Sequence, residues 1–372
     1  MPEPTLASDI SALFQPVTIA GLALRNRIVM APMTRRKAPA DRVPDDAIAR
    51  YYTRRARHGV GLILTEGTHI EPKHAPDSEH VPGIWNDAQV DGWRRVTDAV
   101  HDAQGLIGCQ LWHTGRIAMD PIAPSAIPAL DREGKPRTTP RAMTEDDIHT
   151  LVDQFAHAAS CAQRAGFDTV EIHGAHGYIL HSFMDPEANH RDDAYGGDFE
   201  RRMTVPIMVT RAVRAAVGDG YPILYRFSQF RVDSREALPY PDPEHLRRFT
   251  SALADTGVDV LHASVRDMTE PAFDQSPRTL AGWTRDLSGL PTIAVGGATL
   301  GAWTGNDLAQ PHDPAPLARM IERGEADLIA VGRALIANPD WCEKVRAGDW
   351  HTLRPYSGDL LDTLEDEGFA DE

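Results

Sequence analysis

His173, His176 and Tyr178 stand within the stretch Glu171-Ile172-His173-Gly174-Ala175-His176-Gly177-Tyr178. Imidazole can give or take a hydrogen bond near neutral pH, and a phenol with a reference pKa of about 10 keeps its proton there. The run Thr169-Val170-Glu171-Ile172 just ahead has the short, apolar, β-branched character of a buried strand. Three such groups at a strand exit can grip a carbonyl oxygen, move a proton, or ligate a metal.

Further polar residues stand where other apolar runs end. Thr34 follows Ile28-Val29-Met30-Ala31, and Glu66 and Gly67 follow Gly61-Leu62-Ile63-Leu64-Thr65. Gln110, His113 and Arg116 lie at the end of the run 106–111, and Arg226 closes Ile223-Leu224-Tyr225-Arg226. Gly296 and Gly297 follow Thr292-Ile293-Ala294-Val295, and Gly332 and Arg333 follow the run 327–331. Singly, each is an ordinary buried polar group or turn glycine. Together they describe one ring of donors about one mouth. Gly296, Gly297 and Gly332 offer backbone without Cβ to a phosphate, and Arg333 adds a guanidinium suited to bidentate contact. From that anchor a planar ring would reach Gln110, whose amide both gives and accepts, and Arg226, which can face developing negative charge. Thr34 would donate at the far edge. Flavin mononucleotide (FMN) has this set of needs. A competing reading makes His113, His173, His176 and Glu171 the metal ligands of a hydrolase, since Glu171 and His173 share a strand face. It leaves Gln110, Arg226 and the glycines without a role.

The elements that must position these groups alternate along the chain. Apolar runs fall at 28–31, 61–65, 106–111, 169–172, 223–226, 260–263, 292–295 and 327–331. Helical patterns are expected between them, over 44–58, 93–103, 144–166, 201–217, 242–257, 282–288 and 314–323. Runs apolar on both faces suit a parallel sheet covered all round. Eight of them predict a single closed (β/α)8 TIM barrel domain over 1–372 rather than a doubly wound open sheet, with its chemistry at the strand C-terminal rim. Residues 1–20 read as an arm. Pro-rich 117–143 reads as a lid or hairpin excursion after the third strand, and acidic 359–372 as a solvated helix or frayed end.

Bulk properties narrow the partner. A net charge of −16 opposes binding to nucleic acid or an anionic membrane. No apolar stretch nears the ~18 residues of a membrane span. The start Met1-Pro2-Glu3-Pro4-Thr5 lacks the character of a signal peptide. Cys109, Cys161 and Cys342 have no C-x-x-C spacing, which opposes a disulfide framework, a zinc site or an iron–sulfur cluster and favours a cytoplasmic location. No G-x-G-x-x-G follows a strand, so a separate dinucleotide domain is not expected. The expected partner is a small molecule, with a homo-oligomer left open.

The stretches Ala31-Pro32-Met33-Thr34-Arg35, Thr65-Glu66-Gly67-Thr68, Gln110-Leu111-Trp112-His113-Thr114-Gly115-Arg116, residues 171–178, Asn189-His190-Arg191-Asp192-Asp193-Ala194-Tyr195-Gly196-Gly197 and Val331-Gly332-Arg333 resemble the Old Yellow Enzyme family, in the family's order. The resemblance implies FMN lined by Pro32, Met33, Thr34 and Gly67, with Gln110 and Arg226 at its pyrimidine edge and Gly297, Gly332 and Arg333 at its phosphate. It implies that His173 and His176 grip a substrate carbonyl oxygen, that Tyr178 delivers a proton, and that Trp112 shapes the substrate side. Thr34 stands where one branch has cysteine, and Arg36 where that branch has tyrosine. After Tyr195-Gly196-Gly197, Asp198, Phe199 and Arg201 replace an expected serine, aliphatic residue and asparagine.

The expected reaction is reduction of the C=C bond of an α,β-unsaturated carbonyl or nitro compound, with NADH or NADPH as donor. Hydride reaches Cβ only if the charge arriving on oxygen is stabilised, and each imidazole donor is worth about 3 kcal/mol there. Protonation of Cα by Tyr178 adds on the order of 10²–10⁴-fold. The other flavin reading is a flavin-binding protein without this turnover. Amine dehydrogenases and dienoyl-CoA reductases resemble the family but carry cysteine clusters and extra domains. The excursion 117–143 and the loop Ser264-Val265-Arg266-Asp267-Met268 are expected to select the alkene.

Overall fold

The computed structural model describes residues 9–234, 238–274, 276–300 and 308–366. The first eight residues of the expected arm and 367–372 of the expected tail lie outside the described residues. The arm is more ordered in character than its pattern suggests. After a 3-10 turn, β1 (Val17–Ile19) and β2 (Leu22–Leu24) form an antiparallel hairpin. Ala20 and Gly21, at φ 50° and 82°, make the two-residue turn whose twist matches the flanking strands.

The barrel starts with β3 (Ile28–Met30) and β4 (Leu62–Leu64), the latter continued by β5 (Thr68–His69), and then β6 (Ile107–Trp112). The chain leaves the wall through the short pair β7 (Ile122–Ala123) and β8 (Arg141–Ala142). It returns as β9 (Thr169–His173), β10 (Ile223–Ser228), β11 (Val260–Ser264), β12 (Thr292–Val295) and β13 (Leu328–Val331). Neighbours pair in parallel, and β13 pairs with β3 while β4 pairs with β6, so the wall closes. Each of the eight predicted runs is a barrel strand, and the fold is a (β/α)8 TIM barrel. Among the described residues no helix is long and apolar enough to cross a membrane.

Helices α1 (Asp46–Arg57), α2 (Asp87–Asp102), α3 (Glu145–Arg164), α4 (Ile179–Met184), α5 (Phe199–Val217), α6 (Pro243–Ala254), α7 (Leu280–Ser288), α8 (Ala315–Glu322), α9 (Arg333–Ala337) and α10 (Trp341–Ala347) surround the wall. Their starts are chemically marked. Thr144 and Asp147 form a reciprocal capping box on α3. Asn86 accepts the Gln89 N–H at 3.0 Å, which starts α2 six residues before the expected 93. Asp198 accepts the Arg201 N–H at 2.9 Å, so this departure from the family pattern is the N-cap of α5. The short helices α4, α9 and α10 span too few residues to display a period.

Uniformly apolar strands hide which side faces where. Val29, Leu62, Leu224, Val260, Ile293 and Leu328 point into the lumen and pack with Ile19, Leu22 and Leu24 of the hairpin, which plugs the floor. Ile28, Ile63, Ile107, Val170 and Ile172 point outward into the helix layer with Trp93, Phe155 and Val209. Burying each such side chain contributes about 1.5–3 kcal/mol.

Where it is described, the acidic tail is only partly solvated: Asp359, Asp362 and Glu365 are exposed, but Asp366 is buried. Asp366 is ion-paired with Arg54 and, at 2.6 Å, with Arg55, both buried on α1. Arg35 Nη2 donates to the carbonyls of Leu360 and Thr363 at 2.7 and 2.5 Å. Two buried guanidinium groups require an anion, and the tail supplies it.

Candidate active site

His173 ends β9, and the chain then turns sharply. His176 sits at φ 64° and Gly177 at φ 86° before Tyr178, the extended residue just ahead of α4. A left-handed non-glycine residue costs on the order of 1–3 kcal/mol and persists only where the surroundings hold it. Here the His176 N–H donates to Ser228 Oγ at 2.8 Å, and the His176 carbonyl accepts the Val232 N–H at 3.0 Å. The turn gathers the three predicted side chains. Ring centroids lie 5.2 Å apart for His173 and His176, 4.9 Å for His173 and Tyr178, and 6.3 Å for His176 and Tyr178. Trp112 meets Tyr178 edge-on at 5.0 Å and stacks on His69 at 5.2 Å.

Electrostatics fix the protonation states. Burial, with Arg226 next in weight, holds both His173 and His176 well below the ordinary imidazole range, so both are neutral. The Ala175 N–H donates to His173 Nδ1 at 3.3 Å, which leaves the ring proton on Nε2. His176 Nε2 lies 2.8 Å from Ser264 Oγ. Burial, reinforced by Asp77, pushes the Tyr178 phenol up to about 12, so it stays protonated. Two neutral donors and one retained proton therefore share one space.

Below them, the lumen carries a buried polar layer. Gln110 Nε2 donates to Glu171 Oε1 at 2.7 Å, and His262 Nδ1 bonds Glu171 Oε2 at 2.5 Å. Burial opposes the Glu171 charge, but His262, the hydrogen bonds and Arg226 together hold its carboxyl below the usual range, and burial keeps His262 neutral. With its amide nitrogen committed to Glu171, Gln110 keeps its carbonyl oxygen for the mouth.

A cleft of about 160 Å³ runs beside this layer between the ends of β3, β12 and β13. Pro32, Met33, Arg226, Gly296, Gly297, Gly332 and Arg333 line it, seven of the ten residues expected at the cofactor. Arg226 is 6% exposed, and among the described residues its Nε has no hydrogen-bond partner, so the cleft wall presents a buried guanidinium with one N–H left unmatched. A polyanionic, carbonyl-rich ring system fits that need. Gly296 at φ 150° is required by the backbone as well, since a Cβ there would meet Val265 O at 2.4 Å. Thr34 follows Met33, and the next two N–H groups, of Arg35 and Arg36, donate to Glu66 at 2.9 and 3.3 Å. Burial raises the Glu66 carboxyl to about 7. At Gly67 a Cβ would meet the Trp112 indole at 2.5 Å, so the glycine makes room for that ring.

The proposed metal set does not come together. His113 is turned away, its Nδ1 accepting the Gly115 N–H at 3.1 Å, and Glu171 is spent on Gln110 and His262. Among the described residues no cluster of three or more His, Cys, Asp or Glu side chains is placed to hold an ion. Arg116 belongs to a buried ion pair with Asp233 at 2.8 Å, and Asp233 also accepts the Leu130 N–H of the excursion at 3.2 Å. Arg36, half-exposed, pairs with Asp77. Ser264, read as loop, is the last residue of β11 and faces His176. Glu66, His262 and Ser264 had no local signal for their roles, because each acts on a residue distant in sequence.

Residues 12–350 match the family profile described as the NADH:flavin oxidoreductase / NADH oxidase family. The NADH oxidase of Thermoanaerobacter brockii is 34% identical over 92% of this chain and 52% of that protein, so the chain spans about half that relative's length. A probable flavin mononucleotide-dependent alkene reductase of Leishmania infantum is 33% identical, over 92% of each chain. The solved structure of the old yellow enzyme homologue from Zymomonas mobilis matches with a TM-score of 0.81 at 32% identity, over 97% of this chain and 99% of that one. A profile match over most of the chain, with the barrel and rim residues that the motifs foretold, leads to one assignment: this chain belongs to the NADH:flavin oxidoreductase / NADH oxidase family, the Old Yellow Enzyme family its motifs resemble.

Proposed function

We propose that the protein is an FMN-dependent ene-reductase that uses NADH or NADPH to reduce the C=C bond of an α,β-unsaturated carbonyl or nitro compound, built as one barrel domain over 1–372. The observation that carries the reading is the convergence of His173, His176 and Tyr178, with ring centroids 4.9 to 6.3 Å apart above the polar layer of the lumen. Bound FMN supplies hydride-transfer chemistry between the reduced nicotinamide and the alkene carbon. Pro32, Met33, Thr34, Gly67, Gln110 and Arg226 would hold its ring, and Gly296, Gly297, Gly332 and Arg333 its phosphate. His173 and His176, neutral and each with one N–H to give, bind the substrate oxygen and stabilise the enolate charge that develops on it. Tyr178, held at about 12, keeps its proton at neutral pH until the basic Cα carbon takes it. Trp112 packs against the Tyr178 edge and bounds the substrate space. The excursion 117–143, tied to Asp233 through the Leu130 N–H, serves as the lid.

Tyr178→Phe tests the reading. Anaerobic stopped-flow is expected to find reoxidation of the reduced flavin by an enone slowed on the order of 10²–10⁴-fold, with flavin reduction by NAD(P)H changed far less. Equal slowing of both half-reactions would remove Tyr178 as the proton donor. A wild-type flavoprotein that no enone, nitroalkene or quinone reoxidises would favour a binding protein without turnover.

A further inference from the structure

A neutral imidazole has one proton, and the ring nitrogen that carries it decides whether His176 can donate at the mouth. The ring is held by three neighbours. It stacks on Phe230 at 4.8 Å with 27° between the planes, it meets His173 edge-on, and its Nε2 lies 2.8 Å from Ser264 Oγ. Among the described residues Ser264 Oγ has one other partner, Arg226 Nη2 at 3.4 Å. A guanidinium only donates, so Ser264 accepts from Arg226 and still has its own hydrogen to place. Among the described residues the acceptor within reach of that hydrogen is His176 Nε2.

We propose that Ser264 is a positioning residue for the proposed reaction: oriented by Arg226, its hydroxyl donates to His176 Nε2 and keeps the ring proton on Nδ1, free for the substrate oxygen. His173 is held in the opposite tautomer by its own turn, through the Ala175 N–H on Nδ1. Two histidines three residues apart thus present different ring nitrogens as donors. One is set locally and the other by a side chain 88 residues further along the chain. Without the hydroxyl, the Nε2–H form competes, and in that form Nδ1 turns a lone pair toward the carbonyl oxygen and repels it. The same Arg226 that faces the cofactor cleft thereby also orders the substrate clamp.

The use made of the donor rests on the ene-reductase reading, whereas the tautomer itself does not. Histidine-¹⁵N-labelled holoprotein, observed by two-bond ¹H–¹⁵N correlation, reads the tautomer of His176 directly. Wild type and Ser264→Thr are expected to hold the proton on Nδ1, and Ser264→Ala to shift to Nε2–H or a mixture. Binding of 4-chlorophenol, followed by flavin absorbance, is expected to weaken about tenfold in Ser264→Ala, as for loss of one hydrogen bond, and to recover in Ser264→Thr. Ser264→Cys, a weaker donor of similar size, repeats the comparison if the alanine variant folds poorly. A wild-type His176 protonated on Nε2, or an Nδ1–H form that survives Ser264→Ala unchanged, overturns the role of Ser264. A wild type with the expected tautomer and no phenol binding counts instead against the reading of the site.

Discussion

Leu224 and Val260 lie side by side near the barrel floor in a wholly apolar cluster, sealed by Leu24 of the N-terminal hairpin. Two residues further along the same strands, and on the same face, Arg226 and His262 lie side by side beneath the mouth. One pleat repeat separates a plug from a cofactor wall. At the floor nothing needs a partner beyond shape, and the energy is burial. At the rim Gln110, Glu171, His173, Arg226 and His262 are buried yet polar, so each demands a partner, and some demands are left for a ligand: among the described residues Arg226 Nε and Trp112 Nε1 have none. The rim holds functional groups at some cost in stability, which the floor makes good.

That contrast can be broken at three points. Leu24→Ala removes the plug and is expected to cost about 3 kcal/mol of unfolding free energy, measured by urea titration, with FMN affinity unchanged. A loss of FMN affinity as large as the loss of stability would mean that floor and rim are not separable.

Glu66 tests the rim. Its carboxyl is raised from about 4.5 to about 7, so the fold binds this proton more tightly than the open chain does. This contribution is present in full below pH 4.5 and is lost as pH rises through 7, on the order of 3 kcal/mol in all. Glu66→Gln should match wild type near pH 5 and exceed it in stability near pH 8. Parallel stability curves for the two proteins would mean that Glu66 ionises freely.

Arg226→Met tests the shared wall and carries the smallest expected effect, about 1.5–3 kcal/mol, or roughly 10- to 100-fold weaker FMN binding by fluorescence titration. The apoprotein should melt closer to wild type than Leu24→Ala does. Unchanged FMN affinity would separate Arg226 from the cofactor.

Much of this was legible in the chain because it is local. A buried parallel strand must be short, apolar and β-branched, and all eight were found on that ground. His173, His176 and Tyr178 share one strand exit, so their spacing alone brought them together. The hairpin plug was missed because three-residue strands around Ala20-Gly21 are too short to show alternation against a loosely patterned background. Asp366 was misread because an acidic tail has the composition of a solvated one whether or not buried arginines await it. The Trp112 neighbour of Gly67 was not legible: a missing Cβ announces a close approach but not what approaches.

The amino-acid sequence by itself determined the barrel, its strand order, the rim as the seat of chemistry and the residue types gathered there. Period, β-branching and turn residues act over a few positions and need no distant partner. Tertiary structure alone decided which face of each strand is lumen, that Glu171 spends its charge on Gln110 and His262, and that Ser264 reaches His176. Those pairs join residues 61, 91 and 88 positions apart, and only closure of the wall sets their distances.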